Sequence, residues 1–346
     1  MKRILVLVLV CCLWGSVSRA TDDAAPWARV ANRFSVEGDG GWDLLTVDEA
    51  GGRVFLSHGT VVQAVDEKTG KLLGTIGGMD RVHGIALAPD LKLGFATSGA
   101  DNMVVIFDTG SLAVITKLPV DGTSPDAILY DPATKRVFAF NGHSNNATVI
   151  DAKTRAIAGS VALPGKPELA VADGRGGVFV NLEDTSMVCA IDAKAMKVKT
   201  AWSLAPGKEP TGLAIDAKNH RLFSACNNGF MVVLDSESGK VVATVPIGER
   251  VDGAAFDPAL KRAYAPCGTG SLTVIQETNA NTFSVLENTP TQIGARTIAI
   301  DTRTHHLFQP TAEYGEAPAP TAENAHPRPP IKPGTFVLLD VEARTK

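Results

Sequence analysis

The chain has 346 residues, 33 Lys and Arg against 37 Asp and Glu, a net charge of −4, 45% hydrophobic residues and 6% aromatic residues. That balance supports a sizeable apolar core. It lacks the positive field that drives binding to nucleic acid or anionic membranes, and it has few rings for stacking bases.

The first element is a leader. Lys2 and Arg3 precede an apolar run from Ile4 to Trp14, and small residues at Ser18 and Ala20 close the pattern of a secretory signal peptide spanning residues 1–20. The expectation is an exported protein, periplasmic or secreted, with no later apolar run long enough for a transmembrane helix. Cys11 and Cys12 follow residues unlike those of a lipidation site, so lipid attachment is not the favoured reading. Without the leader, 30 basic residues face 37 acidic ones, a net charge of −7. Three cysteines remain, an odd number that cannot make a complete intramolecular disulfide framework.

From Gly41 onward short apolar runs alternate with clusters of Asp, Lys, Asn, Ser and Gly, the pattern of short strands joined by tight turns. Asp66, Asp108, Asp151, Asp192, Asp235, Gln276 and Asp340 each end a third strand, at spacings of 42, 43, 41, 43, 41 and 64. A second marker, the second-strand aromatic, recurs as Phe55, Phe95, Phe138, Phe179, Phe223, Tyr264 and Phe308. Seven copies of about 40 to 45 residues with four strands each predict an all-β, seven-bladed β-propeller, and no 3.6-residue period suggests a helical solenoid. The recurrent aromatics are read as core packing between blades.

The last copy ends after its third strand, whereas Trp27–Gly38 has the look of a fourth strand with nothing before it. The N-terminal strand is therefore expected to complete the last blade, making residues 21–346 one propeller domain and hiding exposed sheet edges.

The copy Arg136–Leu163, RVFAFNGHSNNATVIDAKTRAIAGSVAL, resembles the YVTN-repeat family of seven-bladed propellers, whose repeats pair a YVxN-like second strand with a VxVID-like third strand. The resemblance covers nearly the whole chain after the leader. It implies the fold and carries over no catalytic residue, since one scaffold serves many activities. The second-strand tetrads diverge (VFLS, GFAT, VFAF, VFVN, LFSA, AYAP, LFQP), and the sixth copy has Gln276 where others have Asp.

In an antiparallel meander the loops alternate ends, so the start of each inner strand faces one mouth of the central channel. Five residues before the end of each inner strand stand Asp43, His83, Asp126, Pro167 (followed by Glu168), Thr211, Asp252 and Arg296. These define an expected ligand-binding ring. Carboxylates with an imidazole suit a divalent metal or a cationic ligand, with Asp43, His83, Asp126 and Asp252 as metal candidates; the alternative is that they cap strand ends in channel water.

The second-to-third-strand loops add His58, Asn141, His143, Cys226 and Cys267 around the same mouth. Cys226 and Cys267 hold equivalent positions in adjacent blades, and two buried thiols are expected in preference to a disulfide. His305 and His306 fall on the opposite face and are expected to be solvated, as is His220. The loop 311–334, rich in proline, accounts for the 64-residue spacing and hangs over the mouth face as a lid or docking arm, with Tyr314, His326 and Arg328 as its contact residues.

The chain carries no haem-attachment, P-loop, nucleophile-elbow or dinucleotide motif. The function expected is binding of a small molecule or protein by a monomeric, non-catalytic propeller without a cofactor. The alternative is a metal-dependent lactonase-like or lyase-like enzyme.

Overall fold

The computed structural model describes residues 25–38, 40–321 and 327–345; the leader 1–20 and His326 lie outside them. The fold is all-β, with seven four-stranded antiparallel sheets, six of them in simple chain order. The inner strands are Trp42–Asp48, Val82–Ala88, Pro125–Asp131, Pro167–Ala172, Pro210–Asp216, Ala255–Asp257 and Ala299–Asp301. Each touches the next, and the seventh touches the first, so the blades close into a ring.

The seventh sheet runs, from rim to channel, Ala28–Ser35, Val337–Ala343, His306–Thr311 and Ala299–Asp301. The first described strand thus lies beside the last one, paired from Ala28 opposite Ala343 to Ser35 opposite Val337 with a register shift between Val30 and Asn32. Glu287 of the sixth blade holds its start, accepting the N–H groups of Trp27 at 2.8 Å and Ala28 at 3.1 Å. The Trp27 ring packs beneath the guanidinium groups of Arg262 and Arg344.

Strand periodicity explains why one blade cannot stand alone. Successive side chains point to opposite faces, so the second strand Arg53–His58 sends Phe55 toward the second blade and Val54 and Leu56 toward the seventh. The buried apolar residues fall into seven clusters, each spanning one blade junction. Every marker aromatic faces the following blade, and all seven are buried. At the fifth–sixth junction Phe223 stacks on Phe256 at 5.0 Å and meets Phe283 edge-on at 5.7 Å. Burying one such ring contributes about 1.5–3 kcal/mol, so stability is spread around the circle. No helix among the described residues is long and apolar enough to cross a membrane.

Candidate functional site at the channel mouth

The inner strands do not pair along their whole length. In the first five blades the register with the second strand breaks at the same place: between Trp42 and Leu45, Val82 and Ile85, Pro125 and Ile128, Pro167 and Ala170, and Pro210 and Gly212. Asp43, His83, Asp126, Glu168 and Thr211 sit inside these breaks. In the sixth and seventh blades the inner strand is only three residues long, and Asp252 and Arg296 precede it. Each ring residue therefore occupies backbone released from the ladder, where a bulge can re-aim its side chain.

The released backbone groups find partners in second strands and neighbouring blades. Ser57 Oγ accepts the Asp43 N–H, and Thr97 Oγ1 accepts the Gly84 N–H and donates to the Asp126 carbonyl. Asn181 Nδ2 reaches the Gly212 carbonyl, and Thr297 Oγ1 the Asp43 carbonyl. Adjacent inner strands approach so closely that two glycines are required. A Cβ on Gly84 would stand 2.6 Å from the Asp126 carbonyl oxygen, and one on Gly212 would stand 2.3 Å from the Gly253 carbonyl.

Three ring residues from three blades meet. His83 Nδ1 lies 2.5 Å from Asp43 Oδ2 and 3.6 Å from Asp126 Oδ1. Taking one ligand atom from each of Asp43, His83 and Asp126, all lie within 4.8 Å of one another, a spacing that could hold a metal ion. Across the mouth Arg296 Nε bonds Asp252 Oδ2 at 2.9 Å, and Arg296 Nη2 reaches the Trp42 carbonyl at 3.3 Å. Lys166 Nζ bonds Glu168 Oε1 at 2.9 Å and also Glu183.

The charges interact strongly. Desolvation, then the nearby Asp43 carboxylate, raises Asp126 to about 7, opposed by His83 and Lys166. Desolvation and Asp126 raise Glu168 to about 9 against the pull of Lys166, and desolvation with Asp43 raises Asp252 to about 6 against Arg296. Burial pulls His83 down, but its hydrogen bond to the Asp43 carboxylate and the charges of Asp126 and Asp43 outweigh it and leave its pKa raised. The mouth is thus a web of compensated charge, not a bare acidic ring.

Other sequence-predicted residues have local roles. Thr211 is buried, and its hydroxyl is taken up by the Val251 carbonyl at 2.8 Å, a bond across the blade junction. His58 is buried, stacked on Phe336 at 4.0 Å and bonded through Nδ1 to Gln63 Oε1 at 2.8 Å. Asn141 is buried and donates to Asn146 and Thr148, whereas His143 is exposed. Cys226 and Cys267 are buried free thiols that donate to the carbonyls of Ser224 and Ala265; Cys189 is likewise free and buried. Tyr314 bridges to Ile331 through backbone and lies 6.1 Å from the Trp42 ring, folding the base of the loop onto the seventh–first junction. Arg328 is exposed.

One expectation is corrected on the opposite face. His305 and His306 are not simply solvated: each is half-buried, with Nδ1 bonded to Asp257 Oδ2 at 2.6 Å and Asp340 Oδ1 at 2.5 Å respectively. His220 is also only partly exposed, 3.7 Å from Glu237. The repeat places an acid beside each of these turns, which sequence position alone does not reveal.

Lys166 and Glu183 escaped the sequence reading. Lys166 precedes the Pro167 ring position, and Glu183 follows Leu182, the apolar counterpart of His58 and Asn141 in the fourth blade. A charged residue one place beyond the aligned position was the available signal.

No family model matches the chain. Uncharacterized protein YncE of Escherichia coli O157:H7 is 26% identical over 141 residues, 37% of this chain and 40% of that protein. The protein of the same name from Salmonella typhi is 27% identical over the same shares. The alignment therefore spans less than half the length of these curated relatives. The distant likeness to YncE, a YVTN-type repeat protein, agrees with the resemblance carried by the repeats. Among solved structures, RRP9 WD40 repeats superpose with a TM-score of 0.73 at 10% identity, covering 92% of this chain and 99% of that one. U3-55K gives 0.72 at 10% identity over 90% and 99%, and Kuenenia stuttgartiensis hydrazine synthase gives 0.67 at 17% over 79% and 94%. At these identities the likeness is one of fold.

Proposed function

We propose that the protein is an exported, single-domain propeller, residues 21–346, that binds a ligand or protein partner through its channel-mouth face without catalysing a reaction, and that the group held there is cationic. The observation that carries this reading is the convergence of Asp43, His83 and Asp126 from three separate blades. The Asp126 carboxylate has no hydrogen-bond donor closer than His83 Nδ1 at 3.6 Å among the described contacts, whereas Asp252 and Glu168 are each bonded to a resident cation. A carboxylate kept unpaired at high electrostatic cost suits an incoming positive charge. The leader supports export. The propeller fold, shared with RRP9 WD40 repeats, is consistent with a binding scaffold.

The test is a thermal-shift and calorimetric screen of organic ammonium and guanidinium compounds against the wild type and the Asp126→Ala, Asp252→Ala double variant. Binding that the variant loses without a fall in its melting temperature supports the reading. Undiminished binding by the variant sinks the mouth assignment.

The spacing of the same three ligand atoms favours one second reading, a divalent-metal site serving a lactonase-like or lyase-like reaction. Elemental analysis, followed by turnover of a lactone panel with and without chelator, separates the two. Protein that takes up no metal and turns over no lactone removes the enzyme reading.

A further inference from the structure

On the face opposite the mouth, two pairs of carboxyl groups are buried across blade junctions at repeat-equivalent positions. Glu67 of the first blade meets Asp301 of the seventh, and Glu277 of the sixth meets Asp216 of the fifth. Each glutamate stands one residue past its third-strand marker, Asp66 or Gln276, and each aspartate ends an inner strand. Exposures are 6% for Glu67, 0% for Asp301, 1% for Glu277 and 5% for Asp216.

The surrounding donors are divided unevenly. Asp301 Oδ1 accepts the N–H groups of Arg303 and Thr304, and Asp216 Oδ1 accepts those of Lys218 and Asn219, as each closes its own turn. One further donor reaches across each pair. Asn219 Nδ2 lies 2.7 Å from Asp216 Oδ2 and 2.8 Å from Glu277 Oε1, and Arg303 Nη2 lies 2.8 Å from Asp301 Oδ2 and 3.8 Å from Glu67 Oε1. The aspartates are therefore supplied as anions. Oε2 of Glu67 and of Glu277 is buried with no donor among the described residues. An ionised glutamate there would leave buried charge on an oxygen without a partner, whereas a protonated one donates to its aspartate and satisfies both.

We propose that Glu67–Asp301 and Glu277–Asp216 each share one proton and act as proton-held clasps between blades, so that the ring is tightest in mildly acidic surroundings and loosens as they turn alkaline. The first clasp lies at the junction where the seventh blade, which carries both ends of the described chain, closes on the first. Other charges do not cancel the effect. Arg303, Lys68 and His306 face Glu67, with Glu49 beyond Arg303, and Lys261 faces Glu277; burial and the partner aspartate still leave both glutamates above their ordinary range.

For each raised acid, folded protein keeps a proton that unfolded protein has lost, at every pH between the ordinary glutamate value and the pair's own. Over that window the unfolding constant rises about tenfold per pH unit for each clasp, then levels off. Since Asp126, Glu168 and Asp252 contribute with the same sign, the clasps are isolated by comparison with Glu67→Gln, Glu277→Gln and the double variant, whose amides donate without titrating.

The experiment is urea unfolding of the full mature chain across this range. The wild type is expected to lose stability more steeply than either single variant, and the double variant to be flattest. Parallel curves overturn the proposal. Should the variants fail to fold, infrared difference spectroscopy of a folded background carrying Asp126→Asn, Glu168→Gln and Asp252→Asn decides. A protonated-carboxyl stretch persisting above the ordinary glutamate range supports the clasps, and its absence overturns them.

Discussion

Asp126→Asn should stabilise the protein, and the gain should depend on pH. The substitution keeps the side-chain shape and removes a charge that desolvation, Asp43 and Asp252 all disfavour. The wild-type carboxyl is protonated in the folded state up to about 7 but ionises near 3.8 when unfolded. Stability from the protonated form is complete below the unfolded value and is lost as pH rises through the folded one. The shift of roughly three pH units corresponds to about 4 kcal/mol; because 29% of the side chain still meets solvent, about 2–4 kcal/mol is the appropriate range. Wild type and variant should coincide below about pH 4, diverge progressively, and reach a constant separation above about pH 7. At pH 8 the variant's melting temperature should be higher by roughly 3–6 °C, read by calorimetry. A variant equal to or less stable than wild type at pH 8 would refute the argument that this carboxylate is held against its own electrostatic preference.

Other expectations concern the scaffold. Phe223→Ala empties a fully buried site against Phe256 and Phe283 and should cost about 3–5 kcal/mol, measured by urea unfolding. Glu287→Ala removes the acceptor for the Trp27 and Ala28 N–H groups and should cost about 1–3 kcal/mol, with faster hydrogen exchange at the start of the Ala28–Ser35 strand. Cys189, Cys226 and Cys267 are all fully buried; burial raises all three thiols, Cys189 and Cys226 to about 12. They should resist a thiol reagent in native protein and react together on unfolding; rapid labelling of the native state would contradict that packing.

The scaffold was legible because the repeat states its own rules. A buried aromatic at one fixed place in seven copies, with an acid closing each third strand except the sixth, defines blade count and strand order without any contact information. Ring membership was also readable, since position along an inner strand converts directly into height in the channel. What position does not encode is aim. The ladder breaks at Asp43, His83, Asp126 and Thr211 alike, yet the first three converge, whereas the Thr211 hydroxyl is engaged by Val251. The bulge depends on hydroxyl and amide groups of other strands, such as Thr97 and Asn181, that no local pattern links to the mouth. His305 and His306 were misread for a related reason: their partners, Asp257 and Asp340, are distant in sequence.

The central claim is that side chains from separate blades form one electrostatic unit at the mouth. The most direct measurement is an NMR titration of the His83 ring in the wild type and in Asp43→Asn and Asp126→Asn. The account predicts that His83 titrates above the ordinary histidine value in the wild type and at lower pH in each variant, with the larger fall for Asp43→Asn, its hydrogen-bond partner. A His83 titration that neither substitution moves would contradict it.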